Sequence, residues 1–251
     1  MLPRVLEPEV MDTAAEARDY DAMDHAAVNR VFVADLLKAA PALSAASVVG
    51  DRSARFDANH ERSDAADAAD HWDVLDLGTG TAQIPIELCR HTRGVRVLGV
   101  ELASQMLQLA AENIPRAGFA DRIGLRRADA KALPFPDGSF AVVMSNSIVH
   151  HIPEPRQMLG ETLRVLKMGG TLFVCDLLRP GDDAAVHRLV QTYAGDANPH
   201  QQAMFGASLR AALTLEETRE MVQELGFLAQ TVQQTSDRHW TWTCRKPSSG
   251  T

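Results

Sequence analysis

The segment Val74-Leu-Asp-Leu-Gly-Thr-Gly-Thr-Ala limits this chain more than any other. A short, unbroken apolar run ends at Gly78, and a helical stretch follows from Thr81 to His91. Unbroken runs of this length suit strands covered on both faces, as in parallel sheets. Gly78 and Gly80 let the backbone turn sharply and approach a ligand with no Cβ in the way. Ligands of open α/β sheets bind at such strand ends. A dinucleotide site would continue as G-x-G-x-x-G/A, but the third position here is Gln83, which counts against a nicotinamide or flavin cofactor.

The same alternation recurs downstream. Val95–Val100 reads as a second strand and Ser104–Arg116 as a helix; Ile123–Arg127 is a weaker third strand. Phe140–Met144 reads as a buried fourth strand, Glu154–Leu166 as an amphipathic helix, and Thr171–Cys175 as a fifth strand after Gly169-Gly170. Helices follow at Ala184–Tyr193 and Leu215–Leu225, the latter with a capping-box spacing at Thr214 and Glu217 and a stop at Gly226. Two terminal strands, Leu228–Val232 and Trp240–Cys244, flank a polar turn, and Trp240 and Trp242 share a face that should bury against a helix. This order predicts an α/β fold with a seven-stranded, mainly parallel sheet and helices on both faces. Upstream, residues 13–39 read as helical, so 1–40 forms an N-terminal helical extension or lid. Residues 41–72 are polar and aperiodic and read as a flexible segment; 73–246 is the main domain, with substrate-side helices at about 181–226.

Charge and cysteine content narrow the function. Lys and Arg number 25 against 33 Asp and Glu, a net charge of −8, which argues against nucleic acid as the main partner. Cys89, Cys175 and Cys244 are far apart and form neither a disulfide framework nor a metal knuckle. No apolar run approaches the roughly 18–20 residues of a membrane span, and the opening Met1-Leu-Pro-Arg-Val-Leu-Glu-Pro-Glu lacks the pattern of a secretory signal. A cytoplasmic location is expected.

Three acids mark successive strand ends. Asp76 closes the first strand, Glu101 follows the second, and Asp129 lies just past the third. A carboxylate at the tip of a second strand can accept both hydroxyls of a ribose, and one after the third can accept an exocyclic amine. Any one alone is an ordinary loop acid; together, behind a glycine turn, they point to a nucleoside ligand.

With these residues in place, the chain resembles the class I S-adenosylmethionine-dependent methyltransferases, in particular the small-molecule type of ubiquinone and menaquinone biosynthesis. The matching text is Val74-Leu-Asp-Leu-Gly-Thr-Gly-Thr-Ala, Gly99-Val-Glu-Leu-Ala-Ser-Gln-Met-Leu, Ala128-Asp-Ala-Lys-Ala-Leu-Pro-Phe-Pro-Asp-Gly-Ser-Phe and Val165-Leu-Lys-Met-Gly-Gly-Thr-Leu. The resemblance implies a Rossmann-like fold and S-adenosyl-L-methionine as cofactor, with S-adenosyl-L-homocysteine as product. It implies that Gly78, Thr79 and Gly80 line the methionine and ribose portion and that Asp76 helps hold the cofactor amine. Glu101 would take the ribose hydroxyls, Asp129 the adenine N6, and Leu102, Met106 and Ala130 the adenine surroundings. Ser145 would offer a carbonyl to the amine, and Tyr20, in Tyr20-Asp-Ala-Met-Asp, would close the extension over the cofactor. The Gly-x-His-Arg of the quinone enzymes is missing and Ala141 replaces their usual Asp, so a quinone acceptor is not carried over.

A sulfonium carries its own leaving group, so methyl transfer is an in-line displacement that needs positioning and water exclusion, with no metal ligand set expected. His150 and His151, at the mouth of the fourth strand, are the candidate base or acceptor contacts; packing of that loop is the simpler role for them. His25, Asp176, Arg179 and Phe205 are candidate substrate residues, the last within an apolar series with Met204, Leu209 and Leu213 that also suits core packing. The expected partner is a small-molecule acceptor, with no nucleic acid and no membrane span, and with a homodimer left open. The alternatives are a non-catalytic cofactor-binding partner or sensor, an NAD(P)-dependent oxidoreductase, and methylation of RNA or protein.

Overall fold

A computed structural model describes residues 2–7, 12–23, 25–45 and 72–248. The expected segment 41–72 therefore lies outside the described residues from 46 to 71. Among the described residues the centre is one seven-stranded sheet in the order β3-β2-β1-β4-β5-β7-β6. Its strands are β1 (Val74–Leu77), β2 (Val97–Glu101), β3 (Ile123–Arg127), β4 (Phe140–Asn146), β5 (Leu166–Leu177), β6 (Val232–Gln234) and β7 (His239–Arg245). The first five are parallel and β7 is antiparallel to both its neighbours. The strand order reverses between β1 and β4, the kind of switch point where α/β sheets open a ligand crevice.

Successive side chains leave opposite faces of the strands, and the core divides accordingly. Val74, Val142, Met144 and Phe173 join one cluster with α2 (Ala26–Ala39), α4 (Gln83–His91) and α5 (Ser104–Arg116). Leu75, Leu77, Val143, Leu172, Trp240 and Trp242 join the other, with α6 (Pro155–Val165) and α9 (Leu215–Glu224). Both tryptophans are fully buried, and Trp242 meets Phe227, just past α9, edge-on at 5.5 Å. Helices α7 (Asp183–Ala194) and α8 (Pro199–Ala211) form a smaller cluster around Val186, Val190 and Leu209.

Several element limits differ from expectation for local reasons. The 13–39 stretch is two helices, α1 (Ala14–Asp21) and α2, because the chain turns where Tyr20 and Asp21 reach into the body of the protein. A single turn, α3 (Ala42–Ala45), follows. Helix α4 starts at Gln83, since Ala82 before it is left-handed at φ 65°. Strand β5 begins five residues early at Leu166, with Phe140 pairing Leu166 and Val142 pairing Thr171, so the Gly169-Gly170 pair makes a bulge within the strand. At Gly170 an added Cβ would meet the Ala141 carbonyl at 2.8 Å. Strand β6 begins only at Val232 because Ala229–Thr231 form a 3₁₀ turn closed by Thr231 Oγ1 on the Leu228 carbonyl.

The N-terminal segment is woven into this body. Arg4 donates to the carbonyls of Ala211, Ile152 and His150, and the Val5 amide donates to Arg210. Phe32 of α2 packs edge-on against Phe173 of β5 at 5.0 Å. Among the described residues no helix is long and apolar enough to cross a membrane. Truncating a fully buried aromatic leaves a cavity that a rigid sheet cannot collapse. Trp240→Ala is therefore expected to lower unfolding stability by about 3–5 kcal/mol, read as a lower urea midpoint at unchanged slope.

Candidate active site

The turn after β1 is built to lie against β2. The amides of Gly78 and Thr79 both donate to the Val100 carbonyl, and Gly78 and Gly80 take φ of 69° and 54°. A Cβ on Gly78 would overlap Ile148 Cγ2 at 2.1 Å, so this position admits no side chain. At the tip of β2, the Glu101 carboxylate accepts the amides of Gly80 (3.0 Å), Leu102 (2.8 Å) and Ala103 (3.0 Å). It thereby ties the first glycine turn to the start of α5. These residues open onto a cavity that Tyr20, Met106, Asp129, Ala130, Lys131, Asn146, Ile148 and His151 also line.

A second, deeper cavity adjoins the first and shares Tyr20, Gly78 and Asn146 with it. Asp76, Thr79, Thr81 and His25 line it. Burial, with the nearby Glu101 charge, pushes the Asp76 carboxyl up to about 7. Thr81 Oγ1 is buried with no hydrogen-bond partner in the protein. The Tyr20 ring sits 5.0 Å from that of His25, and burial plus the carboxylates of Glu101, Asp76 and Asp21 raise its phenol to about 12. Beside it, Asp21 Oδ1 accepts from Gln83 Nε2 (3.0 Å) and Asn113 Nδ2 (2.9 Å). Gln83, the residue that breaks a dinucleotide motif, thus fastens α1 to α4.

Asp129 is tied to Lys131, whose amide and ammonium lie 2.8 and 3.0 Å from Oδ1. Partial burial works against its charge, but these Lys131 contacts prevail and hold the carboxyl below its ordinary value. Leu102, Met106 and Ala130 also line the first cavity. Ser145 does not: it is buried within β4, pairs with Leu77 and Val174, and donates its hydroxyl to the Leu77 carbonyl at 3.0 Å. The strand runs two residues further than expected, so Asn146 and Ser147 take the place facing the cavity. Ser147 has a left-handed φ of 58°, which no sequence pattern announces.

The two adjacent histidines separate. His151 lines the first cavity, whereas His150 is buried and does not. His150 Nδ1 donates to Asp176 Oδ1 at 2.6 Å, and Asp176 also accepts the amides of Val149 (2.6 Å) and Leu177 (2.7 Å). The Asp176 carboxylate thus pins the 3₁₀ turn Val149–His151 to the end of β5. Burial opposes charge on both partners, but each outweighs that for the other: His150 is raised, with Glu7 adding, and Asp176 is lowered, with its two amides adding. Glu7 approaches from the N-terminal segment, Oε1 lying 3.2 Å from His151 Nδ1 and 3.5 Å from His150 Nε2. Nothing in the sequence pattern singled it out.

The remaining candidates lie elsewhere. Buried Arg179 donates to the Ala212 carbonyl at 3.0 Å and pairs with Glu217, fastening β5 to α9. Phe205 packs with the α7–α8 cluster, and Leu213 is buried past the end of α8, bridging Leu178. These two pack the core, while Asp176 and Arg179 fasten it, because the ends of β5 and α8 turn inward under the N-terminal segment.

A family model described as a methyltransferase domain matches residues 75–174. The 27-O-demethylrifamycin SV methyltransferase of Amycolatopsis mediterranei is 29% identical over 172 residues, 67% of this chain and 59% of that protein. The demethylmenaquinone methyltransferase of Lactiplantibacillus plantarum is 31% identical over 162 residues, 64% of this chain and 68% of that protein. The match spans only 42% of a Geobacter sulfurreducens ubiquinone/menaquinone biosynthesis C-methyltransferase. In fold, the chain is similar to a proposed S-adenosyl-L-methionine-dependent methyltransferase from Methanococcus maripaludis, with a TM-score of 0.62 at 14% identity over 98% of this chain and 99% of that one.

The buried His150–Asp176 pair sets a pH dependence. Its contribution is complete above the ordinary 3.8 of an aspartate and below the ordinary 6.5 of a histidine. It is lost as pH falls through the lowered Asp176 value and as pH rises through the raised His150 value. Asp176→Asn should cost about 3–5 kcal/mol at about pH 5, and the deficit should shrink as pH rises past the His150 titration. Urea unfolding across pH measures this; a deficit that does not change with pH would count against the charged pair.

Proposed function

This chain belongs to the class I S-adenosylmethionine-dependent methyltransferases, and we propose that it methylates a hydroxyl of a small-molecule acceptor with His151 as the base. The carrying observation is that His151 alone of the histidine pair lines the cavity that also holds Glu101 and the glycine turn.

The residues present fit the cofactor. Glu101 keeps acceptor capacity beyond its three amide bonds and would hold the ribose hydroxyls, with Leu102, Met106, Asp129 and Ala130 around the adenine. Asp76, the unsatisfied Thr81 hydroxyl and Asn146 would receive the polar methionine end. At Gly80 a Cβ would come 3.7 Å from the Tyr20 ring and narrow that space. Helix α1, bearing Tyr20, would serve as the lid proposed for residues 1–40. When bound, the cofactor supplies an electrophilic methyl group and its own neutral leaving group. His151 would take the acceptor proton, while Ile148 and Ile152 exclude water. In this reading no metal takes part, so chelators leave turnover unchanged. A hydroxyl is a weak nucleophile until its proton leaves, so a base in the cavity suits an oxygen acceptor, in keeping with the name of the rifamycin relative.

Calorimetric titration with S-adenosylhomocysteine tests the cofactor site, with NAD as control. Micromolar binding of the former alone is expected; binding of NAD alone would refute it. Glu101→Ala should weaken that binding by about 1–3 kcal/mol. A ligand ammonium beside Asp76 favours its charged form, so affinity should rise as pH climbs to about 7 and level off above. Asp76→Asn should abolish that rise. A panel of phenols, sugars and hydroxylated macrocycles, followed by S-adenosylhomocysteine release, then tests the acceptor class; methylation confined to amines or carbon would overturn it.

A further inference from the structure

We propose that Glu7, His150 and His151 form a site for a divalent transition-metal ion of the zinc type, where the N-terminal segment meets the turn after β4. The site stands on its own geometry; only its consequence for turnover rests on reading His151 as the base.

Two imidazoles and one carboxylate are a donor set that zinc takes up in open, three-ligand sites. Here one donor atom from each residue lies within 4.8 Å of the other two. Glu7 Oε1 stands 3.2 Å from His151 Nδ1 and 3.5 Å from His150 Nε2. Zinc bonds of about 2.0–2.2 Å in a tetrahedron put neighbouring ligand atoms about 3.3 Å apart. The two separations are therefore those of ligands around one ion, longer than a hydrogen bond needs and right for a metal between them. The Glu7, His150 and His151 side chains are only 14%, 4% and 14% exposed, and buried charges are paired or coordinate metals.

The outer partners are also those of a metal site. A ligating histidine gives its other ring nitrogen to a carboxylate, which orients the ring and raises its basicity. His150 does this: Nδ1 donates to Asp176 Oδ1 at 2.6 Å, leaving Nε2, the atom that faces Glu7, for the ion. Ligating carboxylates are themselves hydrogen-bonded, and Ser208 Oγ of α8 donates to Glu7 Oε1 at 3.0 Å. Arg4 brings a positive charge close to His150, and the buried Asp176 carboxylate offsets it, so Glu7 remains to neutralise part of the ion's charge. An ion has paths in, since Glu7 lines a groove against α7 and α8 and His151 lines the first cavity. The fourth position falls to water. An imidazole that gives one nitrogen to a metal carries its proton on the other. Metal-bound His151 has no lone pair left for an acceptor proton, so the ion takes no part in the displacement and acts as its off-switch.

The test is zinc titration of the full chain in competition with a chromophoric chelator, with cobalt(II) as a spectroscopic stand-in. One zinc per chain is expected, and cobalt should give the intense visible bands of a four-coordinate site. Glu7→Gln and His151→Ala should each weaken zinc binding by more than about 100-fold, beyond the cost of losing an outer partner. Ser208→Ala should weaken it by about tenfold, and it keeps the proposal testable if Glu7→Gln fails to fold. Glu87 and His91, 3.0 Å apart on α4, form an exposed pair that also attracts zinc, so His91→Ala is the control and should leave the affinity unchanged. Absence of stoichiometric zinc uptake would overturn the proposal, as would uptake that ignores the Glu7 and Ser208 variants or is lost in His91→Ala. These titrations need no acceptor. Added zinc should then stop turnover of the methylated acceptor, and a chelator should restore it to the metal-free rate. Undiminished turnover of the zinc-loaded protein would refute His151 as the base and leave the metal site standing.

Discussion

The Glu101 carboxylate is the point on which the site depends. It accepts three backbone amides drawn from two separate turns, one after β1 and one opening α5. Without it, the Gly80 amide and those of Leu102 and Ala103 would face one another as unpaired donors at the mouth of a crevice. The carboxylate satisfies them, fixes the spacing of two βα units, and still has lone pairs to offer a ligand. The atoms that make these structural bonds are also the ones left open to a ligand.

A second carboxylate plays the parallel part on the other half of the sheet. Asp176 accepts two amides and the His150 ring at the end of β5, and so shapes the turn that puts His151 into the cavity. The acid is buried, and a buried acid is tolerated only with its lone pairs occupied. Its three bonds meet that condition, which is why it is not available to an acceptor. Arg179 follows the same rule, its guanidinium engaged by Ala212 and Glu217.

The N-terminal segments complete the crevice from outside the sheet. Asp21 pulls α1 onto α4 and α5 through Gln83 and Asn113, and Tyr20 comes with it to the boundary between the two cavities. Arg4 and Glu7 do the same at the opposite end, against the turn bearing His151. Each contact is a hydrogen bond or ion pair between residues far apart in the chain.

That separation divides what could be read from what could not. The apolar runs of β1, β2 and β4, the glycines after β1, and the acids at strand ends are local signals, governed by chain geometry and by burial on both faces. From them alone the α/β order, the site's location at the carboxyl ends of the strands, and the family resemblance were determined. Limits such as the left-handed Ala82, the bulge at Gly169-Gly170 and the 3₁₀ turn before β6 escaped, because neighbouring strands and turns impose them. Which of two adjacent histidines faces the cavity, why Asp176 and Arg179 are internal, and how Glu7 reaches His151 were decided by tertiary structure. A side chain's role follows from what folding brings against it, and those partners are not its neighbours in sequence.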